Sequence, residues 1–383
     1  MRKYRFYDMK PILMVDLTTQ YEKIQAEIDA AVSQVIHSGE FINGKAVRDF
    51  SANLAAYTGA KHVIPCANCT DALQIALMAL GLQPGDEAII PDFTYVAAAE
   101  AVALLKLTPV PVDVNPETFN MDVEKISAAL SRKTKAIIPV HLFGQCSDMA
   151  PILEIAKKNS LYVIEDNAQS IGSVYTFPNG GKKQAGTIGD IGALSFFPTK
   201  NLACFGDGGA LLTDNEALAQ KMGMIAKHGQ SRKYYHEMIG CNSRLDTLQA
   251  AILNVKLAHL DNYIQARRKV AQAYDEALET RTDLYEIPSL SSNSTHVYHQ
   301  YTLKVKQNKR DDLQKYLKEK GVPTMIYYPH PLHKQPAFRG IIRIGSDLSE
   351  TGKLCQSALA LPMHTELDEE QMNYITNLLV NYE

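Results

Sequence analysis

Lys200 sits where nothing nearby offers it a counter-charge. Phe196, Phe197 and Pro198 precede it in SFFPTKNLACFGDGGALLTD, Leu202, Ala203, Cys204 and Phe205 follow, and the nearest acids are Asp190 and Asp207. A lysine is costly to bury unpaired and desolvation lowers its pKa, so this one either snorkels out to water or is a reactive amine. Two other stretches bear on the choice. LYVIEDNAQS ends an apolar run in Glu165, Asp166 and Gln169, and a carboxylate at the tip of a core strand is expensive unless it meets a cation. HVIPCANCTDALQIAL passes from an apolar run through a short polar loop into a helical pattern near Thr70. A helix N-terminus with free N–H groups is an anion site, although Asn68 or Thr70 reads equally well as a plain N-cap.

These residues need elements to carry them. Short apolar runs at HVIPC, EAIIP, PVPVDV, AIIPVHLF, LYVIED, ALSFF and GALLTD read as strands, and helical periodicity covers 70–80, 94–105, 123–130 and 149–159. Such alternation predicts a mostly parallel α/β sheet covered on both faces, with ligands at the carboxyl ends of its strands. Tyr21, Ile24, Ile28, Ala31 and Val35 predict an amphipathic helix stopping near Gly39, and a long helix runs from about Ser243 to Glu279. A smaller α+β unit follows: strand HQYTLKV, helix RDDLQKYLKEKG, the segment TMIYYP and two closing helices. The expected division is a large domain over 1–262 and a small one over 263–383. Thr70 at a helix start, Glu165 or Asp166 at one strand end, and Ser195 and Lys200 beyond another then converge. An anion cradle, an acid and an amine together are what pyridoxal 5'-phosphate requires: a lysine for its aldehyde, an acid for its pyridinium nitrogen, and N–H and hydroxyl donors for its phosphate.

The 383 residues, 46% of them hydrophobic, suffice for a large core, and 39 basic against 42 acidic residues leave a net charge of -3. That balance speaks against a nucleic-acid or membrane-surface binder. The N-terminal stretch MRKYRFYDMKPILMVDL is basic without an apolar run of secretory length, and TYVAAAEAVALLKL carries Glu100 and Lys106 and is too short to cross a bilayer. A cytoplasmic protein is expected. Six cysteines in a chain this long do not read as a disulfide framework. Cys66 and Cys69 form a C-x-x-C, but no second ligand pair completes a zinc site, and small residues in a tight loop are the favoured reading. No G-x-G-x-x-G follows the first strand, which weighs against a Rossmann reductase.

The motifs SGEFINGKAVRDF, CANCTDALQIAL, PDFTYVAAAEAV, PVDVNPETFNMD, IPVHLFGQ, VIEDNAQS, SFFPTKNLACFGDGGAL, GCNSRLDTLQAAIL, YYPHPLH and ALPMH occur in an order that resembles the DegT/DnrJ/EryC1/StrS sugar aminotransferases. The resemblance covers nearly the whole chain. It implies an aspartate-aminotransferase-like fold and pyridoxal 5'-phosphate as cofactor. Lys200 would be the lysine that condenses with it and Asp166 the partner of its ring nitrogen. Gln169 would lie on the phenolic side, and Tyr95 on the ring face. Thr70 and Ser195 would hold the phosphate, with Cys69 or Thr70 adding a main-chain N–H, and Asn242 would reach the phosphate of the neighbouring subunit, making a homodimer with shared sites. CANCTDALQIALMALG and HGQSRKYYHEMIGCNSRLDTLQAAIL look closest to the bacterial enzymes that aminate UDP-2-acetamido-2-deoxy-3-oxo-D-glucuronate. That implies a nucleotide-sugar substrate, L-glutamate as donor and a place in surface polysaccharide or lipopolysaccharide biosynthesis. Arg244 would meet the sugar carboxylate, with Asp246 or Asp190 as alternative partners, and Tyr327, Tyr328 and His333 would line the substrate. His141 reads as structural, His333 and His364 as positioning residues near the cleft, and the run around Arg232 as a solvated loop. Most relatives have Gly at Cys69, and His is common where this chain has Ile326-Tyr327-Tyr328-Pro329. The alternatives are another dTDP- or UDP-linked 3- or 4-keto-6-deoxyhexose as substrate, and a non-catalytic sensor on the same fold. Lys200 argues against the 3-dehydratase branch, which carries His there.

Overall fold

The computed structural model describes residues 10–383; the first nine residues of the basic N-terminal stretch, read above for a leader, lie outside them. The chain opens with helices α1 (Leu17–Ser38) and α2 (Lys45–Thr58), then strand β1 (His62–Cys66) and α3 (Cys69–Leu80). Alternation continues through β2 (Glu87–Pro91), α4 (Ala97–Leu104), β3 (Thr108–Val112), α5 (Val123–Ala129), β4 (Thr134–Ile137), α6 (Met149–Asn159) and β5 (Tyr162–Asp166). A hairpin of β6 (Val174–Thr176) and β7 (Lys182–Gln184) precedes β8 (Ile191–Ser195), β9 (Gly209–Thr213), α7 (Glu216–Ile225) and a second hairpin, β10 (Gln230–Arg232) with β11 (Tyr235–His236). The long helix α8 (Thr247–Leu278) leads to β12 (Tyr285–Glu286), β13 (Tyr301–Val305), α9 (Arg310–Glu319), α10 (Ser349–Ser357), β14 (Ala358–Leu361) and α11 (Glu369–Val380).

Seven strands form one sheet in the order β1-β9-β8-β5-β4-β2-β3. All pairings are parallel except those of β9, which is antiparallel to β1 and β8. The expected mostly parallel α/β sheet is therefore present. Strand alternation sorts its side chains between two faces. Ile164, Ala193 and Leu211 pack with α3 and α4, whereas Leu194, Ala210 and Leu212 pack with Phe50 and Leu54 of α2 and Leu253 and Leu260 of α8.

A second core gathers Leu303, Leu313, Leu317, Leu359 and Ile375 around the β12-β13-β14 sheet, and Val270, Tyr274 and Leu278 of α8 belong to it. The chain between α9 and β14 does not stay with this core. Leu332, Phe338 and Leu354 return to the core of the large sheet, beside Ile90 and Phe93. Three carboxylates hold that return. Glu87 pairs with Arg343 through Nε and Nη2, both at 2.8 Å, Asp92 takes His333, and Asp113 accepts from Glu350 N–H, Thr351 N–H and Thr351 hydroxyl, all at 2.8 Å, at the start of α10.

The AIIPVHLF run is a strand only to Ile137, because the chain breaks at Pro139 and turns at Phe143 (φ +58°). TMIYYP is not a strand; only Met325 bridges to Ala360. Helices α2 and α7 and both hairpins add to the predicted order.

Candidate active site

Parity along β5 decides which acid serves the site. Ile164 and Asp166 face α3, while Val163 and Glu165 face the other side. Glu165 is fully buried there and accepts from His141 Nε2 at 2.8 Å, Gly186 N–H at 2.8 Å, and Ile188 and Gly189 N–H at 2.6 Å each. His141 Nδ1 accepts from Ser147 N–H, so its Nε2–H is the donor and the ring is a strut, as expected of a structural histidine.

Asp166 is 6% exposed. Its Oδ1 accepts from Ala168 N–H at 3.1 Å and from the Cys69 thiol at 3.9 Å, and among the described residues Oδ2 accepts nothing. Burial raises its pKa, while the Ala168 N–H, Lys200 and His141 act in the opposite direction. Lys200 stands in the loop after β8, its N–H bonded to Phe197 O at 2.8 Å. Burial lowers the pKa of its ammonium, and Asp166 and Cys69 push it back up. The isolated lysine of the sequence thus faces an acid brought from a neighbouring strand.

Helix α3 begins beside this pair. Asn68 is its N-cap, its side chain accepting from Asp71 N–H at 2.8 Å and its carbonyl from Ala72 N–H at 3.1 Å. The N–H groups of Cys69 and half-buried Thr70 are left among the helix's first-turn donors. Gly209 of β9 presses on this turn: a Cβ there would lie 2.5 Å from Asn68 C and 2.9 Å from Cys69 N, so only glycine lets strand and turn approach. Half-buried Ser195 closes β8, its hydroxyl accepting from Phe197 N–H at 3.4 Å.

An aromatic wall completes the cleft. Gln169 accepts from Phe143 N–H at 2.7 Å and donates to Tyr328 Oη at 3.4 Å. Tyr328 lies 6.3 Å from Tyr95 and 6.0 Å from Phe93 between ring centroids, and Tyr327 adjoins it at 5.9 Å. Tyr95 is 59% exposed, free to receive a flat ring. Burial raises the Tyr328 phenol, with Asp166 contributing.

Other predicted residues lie elsewhere. His333 is pinned by buried Asp92, through Nδ1 at 2.6 Å and its N–H at 2.9 Å. Asn242 and Arg244 hold each other: Arg244 Nε donates to Asn242 Oδ1 at 2.8 Å, Nη2 donates to the same oxygen, and neither Asp246 nor Asp190 pairs with Arg244. Ser243 between them accepts from Ala67 N–H at 3.0 Å, tying this segment to the turn before α3. His364 is set in a seam with Asp16, Arg267 and Glu366, where burial pushes its imidazole down to about 4. The Arg232 run forms the exposed β10–β11 hairpin, which borders a groove of about 480 Å³ with Lys227, Arg232 and Lys233 on its wall. Cys66 and Cys69 are free thiols, Cys66 donating to Asn68 O at 3.3 Å, and no cluster of three metal-ligating side chains occurs among the described residues.

Sequence reasoning missed three contributors. The Phe143 N–H orients Gln169 from a left-handed turn that periodicity does not signal. The Cys69 thiol reaches Asp166 from the start of α3, where the C-x-x-C was weighed as a zinc pair and set aside. His299 is buried with Nδ1 unpartnered, and burial, with Lys200 and Arg267 nearby, pushes its pKa well down.

These residues fit pyridoxal 5'-phosphate. The fit rests on an acid oxygen left without a donor, an amine of lowered pKa opposite it, and a helix turn packed on glycine. The family model for the DegT/DnrJ/EryC1/StrS aminotransferases matches residues 22–380. A Pleiotropic regulatory protein of Geobacillus stearothermophilus is 47% identical over 96% of this chain and 98% of its own length. The UDP-2-acetamido-2-deoxy-3-oxo-D-glucuronate aminotransferase of Pseudomonas aeruginosa is 45% identical over 97% of this chain and all (100%) of its own. Among solved structures, ntda from Bacillus subtilis with bound cofactor PMP superposes with a TM-score of 0.88 at 34% identity, covering 99% of this chain and 86% of that one. The chain belongs to the DegT/DnrJ/EryC1/StrS aminotransferase family, and is a pyridoxal-phosphate-dependent sugar aminotransferase.

Proposed function

We propose that the chain transfers an amino group from L-glutamate to the 3-keto carbon of a UDP-linked 2-acetamido-3-oxo-glucuronic acid, as a homodimer with shared sites. The observation that carries the substrate assignment is Arg244, a half-buried cation with no carboxylate partner among the described residues, joined to the same short segment as Asn242. A uronic acid brings the anion that this guanidinium lacks, and a planar fork suits a carboxylate. The end-to-end likeness to the Pseudomonas enzyme supports the same reading.

The bound cofactor supplies an electron sink for the carbanion left when a substrate proton departs. Lys200 Nζ would hold it covalently and, once released, would be the base that takes up and gives back the proton at the substrate carbon. Asp166 Oδ2 would keep a proton on the ring nitrogen. The Cys69 or Thr70 N–H and the Ser195 and Thr70 hydroxyls would hold the phosphate. Tyr95 would cover the ring, and Gln169, oriented by Phe143, would serve its phenolic side. Asn242 reaches from one protomer to the phosphate site of the other, while Tyr327, Tyr328 and His333 border the sugar. We also place the domain division at 262/263, supported by α8 contributing to two cores.

The Geobacillus relative's name raises a regulatory reading, in which a ligand is sensed and nothing is turned over. The test is a single-turnover panel of UDP- and dTDP-linked keto sugars with the amine-loaded enzyme. Amination of the 3-oxo uronate fastest supports the proposal. Preference for a neutral 6-deoxyhexose replaces the substrate, and binding without amination of any sugar favours the sensor.

A further inference from the structure

The acid that faces the cofactor's ring nitrogen is held from one side only. Both donors to Asp166 converge on Oδ1: the Ala168 N–H two residues on, and the Cys69 thiol from the first residue of α3. Oδ2 takes no hydrogen bond among the described residues, so the two donors together fix the rotation of the carboxylate and turn Oδ2 outward. The backbone that carries Cys69 is fixed in place. Its turn is capped by Asn68 and lies so close to Gly209 that no other side chain fits between them. The thiol is 7% exposed, and burial, with Asp166 and Cys66 adding to it, raises its pKa well above the ordinary value, which keeps its proton available for donation. Its partner in the C-x-x-C does something else, donating to Asn68 O within the loop.

We propose that Cys69 is a positioning residue for Asp166, its S–H acting with the Ala168 N–H to aim Oδ2 at the ring nitrogen of pyridoxal phosphate. The proposal rests on the cofactor assignment and not on the identity of the sugar. It separates Cys69 from the phosphate role of the same helix turn: the main-chain N–H would serve the phosphate and the side chain the acid that meets the ring nitrogen. A thiol donor is neutral, so it steers the carboxylate without competing with the pyridinium for its charge.

The experiment compares binding of two ligands to the apoprotein: pyridoxal phosphate, and its 1-deaza analogue, in which C–H replaces the ring nitrogen. Dissociation constants are measured for wild type, Cys69→Ala and Cys69→Ser. Cys69→Ala should weaken pyridoxal phosphate by roughly tenfold, the scale of one hydrogen bond to a charged group, and leave the analogue within about twofold. Cys69→Ser, which keeps a donor with shorter reach, should fall between. The pH midpoint of the bound cofactor's visible absorption should shift in the same order. Equal weakening of both ligands would assign Cys69 to packing or to the phosphate cradle, and no weakening would make the thiol contact idle; either overturns the proposal. Wild type failing to bind pyridoxal phosphate would strike at the cofactor assignment instead. If Cys69→Ala does not fold, the Cys69→Ser ratio of the two ligands is decided by the same criteria.

Discussion

Lys200 and Asp166 control each other's protons, and that coupling has consequences that can be measured. Lys200→Ala should still take up the cofactor without a covalent link and should not turn over; near-normal transamination by that variant would end the reading. Asp166→Asn should retain the cofactor and lose roughly a hundredfold or more in rate, because a neutral amide cannot hold the ring nitrogen protonated. The amine itself predicts a pH dependence. Only the unprotonated lysine attacks an aldehyde, and burial lowers its pKa from 10.5, so cofactor capture by the apoprotein should rise with pH through a midpoint below that value. Asp166 raises the Lys200 pKa, so Asp166→Asn should move the midpoint lower still, and stopped-flow absorbance across pH reads both shifts. An unmoved midpoint would mean that the two groups are not in electrostatic contact. At this scale the sequence was informative where a residue type was out of place. An unpaired lysine among aromatics and an acid at a strand tip announced themselves. Choosing Asp166 over Glu165 needed strand parity, and the Cys69 thiol left no trace in the pattern, because a thiol contact across 97 residues has no local signal.

Strands and helices were legible where periodicity and punctuation agreed. β2, β5 and β9 are short, mostly buried runs closed by polar residues, and α1 ends at Gly39 (φ +69°), as its left-handed cap requires. α2 was missed although Val47, Phe50 and Leu54 repeat on one face, because Gly44 supplies no side-chain cap to announce its start. What no local pattern showed is the path of the chain from His333 to Thr351, which leaves its own sheet to lie on the large one. The Glu87–Arg343 pair measures how firmly it is held. Burial of Glu87 would raise its pKa, but the Arg343 fork, Ser131 and Thr134 more than offset this and the net shift is downward. A carboxyl depressed in the folded state stabilises above its unfolded value of about 4.3 and loses that contribution as pH falls through the folded value. Arg343→Ala should therefore cost on the order of 2 kcal/mol near neutral pH, and the deficit should shrink in acid. Denaturant melts of both proteins at several pH values check this, and a deficit independent of pH would assign the loss to packing alone.

The whole molecule carries the substrate question, because the segment bearing Asn242 and Arg244 lies beside surface that a single chain leaves bare. Phe41 and Ile42 are 48% and 49% exposed, and they are joined to that segment by the Thr247 N–H to Phe41 carbonyl bond and the Ile42–Asp246 bridge. Large apolar side chains grouped in this way suit an interface. If sites are shared, mixing inactive Lys200→Ala with inactive Asn242→Ala subunits should restore activity, since one site of each heterodimer is intact; none after verified exchange would place each site within one chain. The family resemblance implies shared sites from motif order, but it could not show that Arg244 grips Asn242, because the sequence offers an arginine there a substrate carboxylate or Asp246 and Asp190 as partners and gives no sign of the asparagine two residues before it. That contact sharpens the test of the sugar. Arg244→Ala removes a cation and also unties Asn242, so some loss is expected with every sugar. A carboxylate that relied on the guanidinium adds its own term of ~2 kcal/mol, roughly thirtyfold. The signature is thus the extra loss for the 3-oxo uronate over a neutral 3-keto hexose, measured by single turnover in the sugar half-reaction alone, since glutamate's carboxylates could use the same arginine in the other half. Equal losses would leave Arg244 as the support of Asn242 and return the choice of sugar to the residues around Tyr327 and Tyr328.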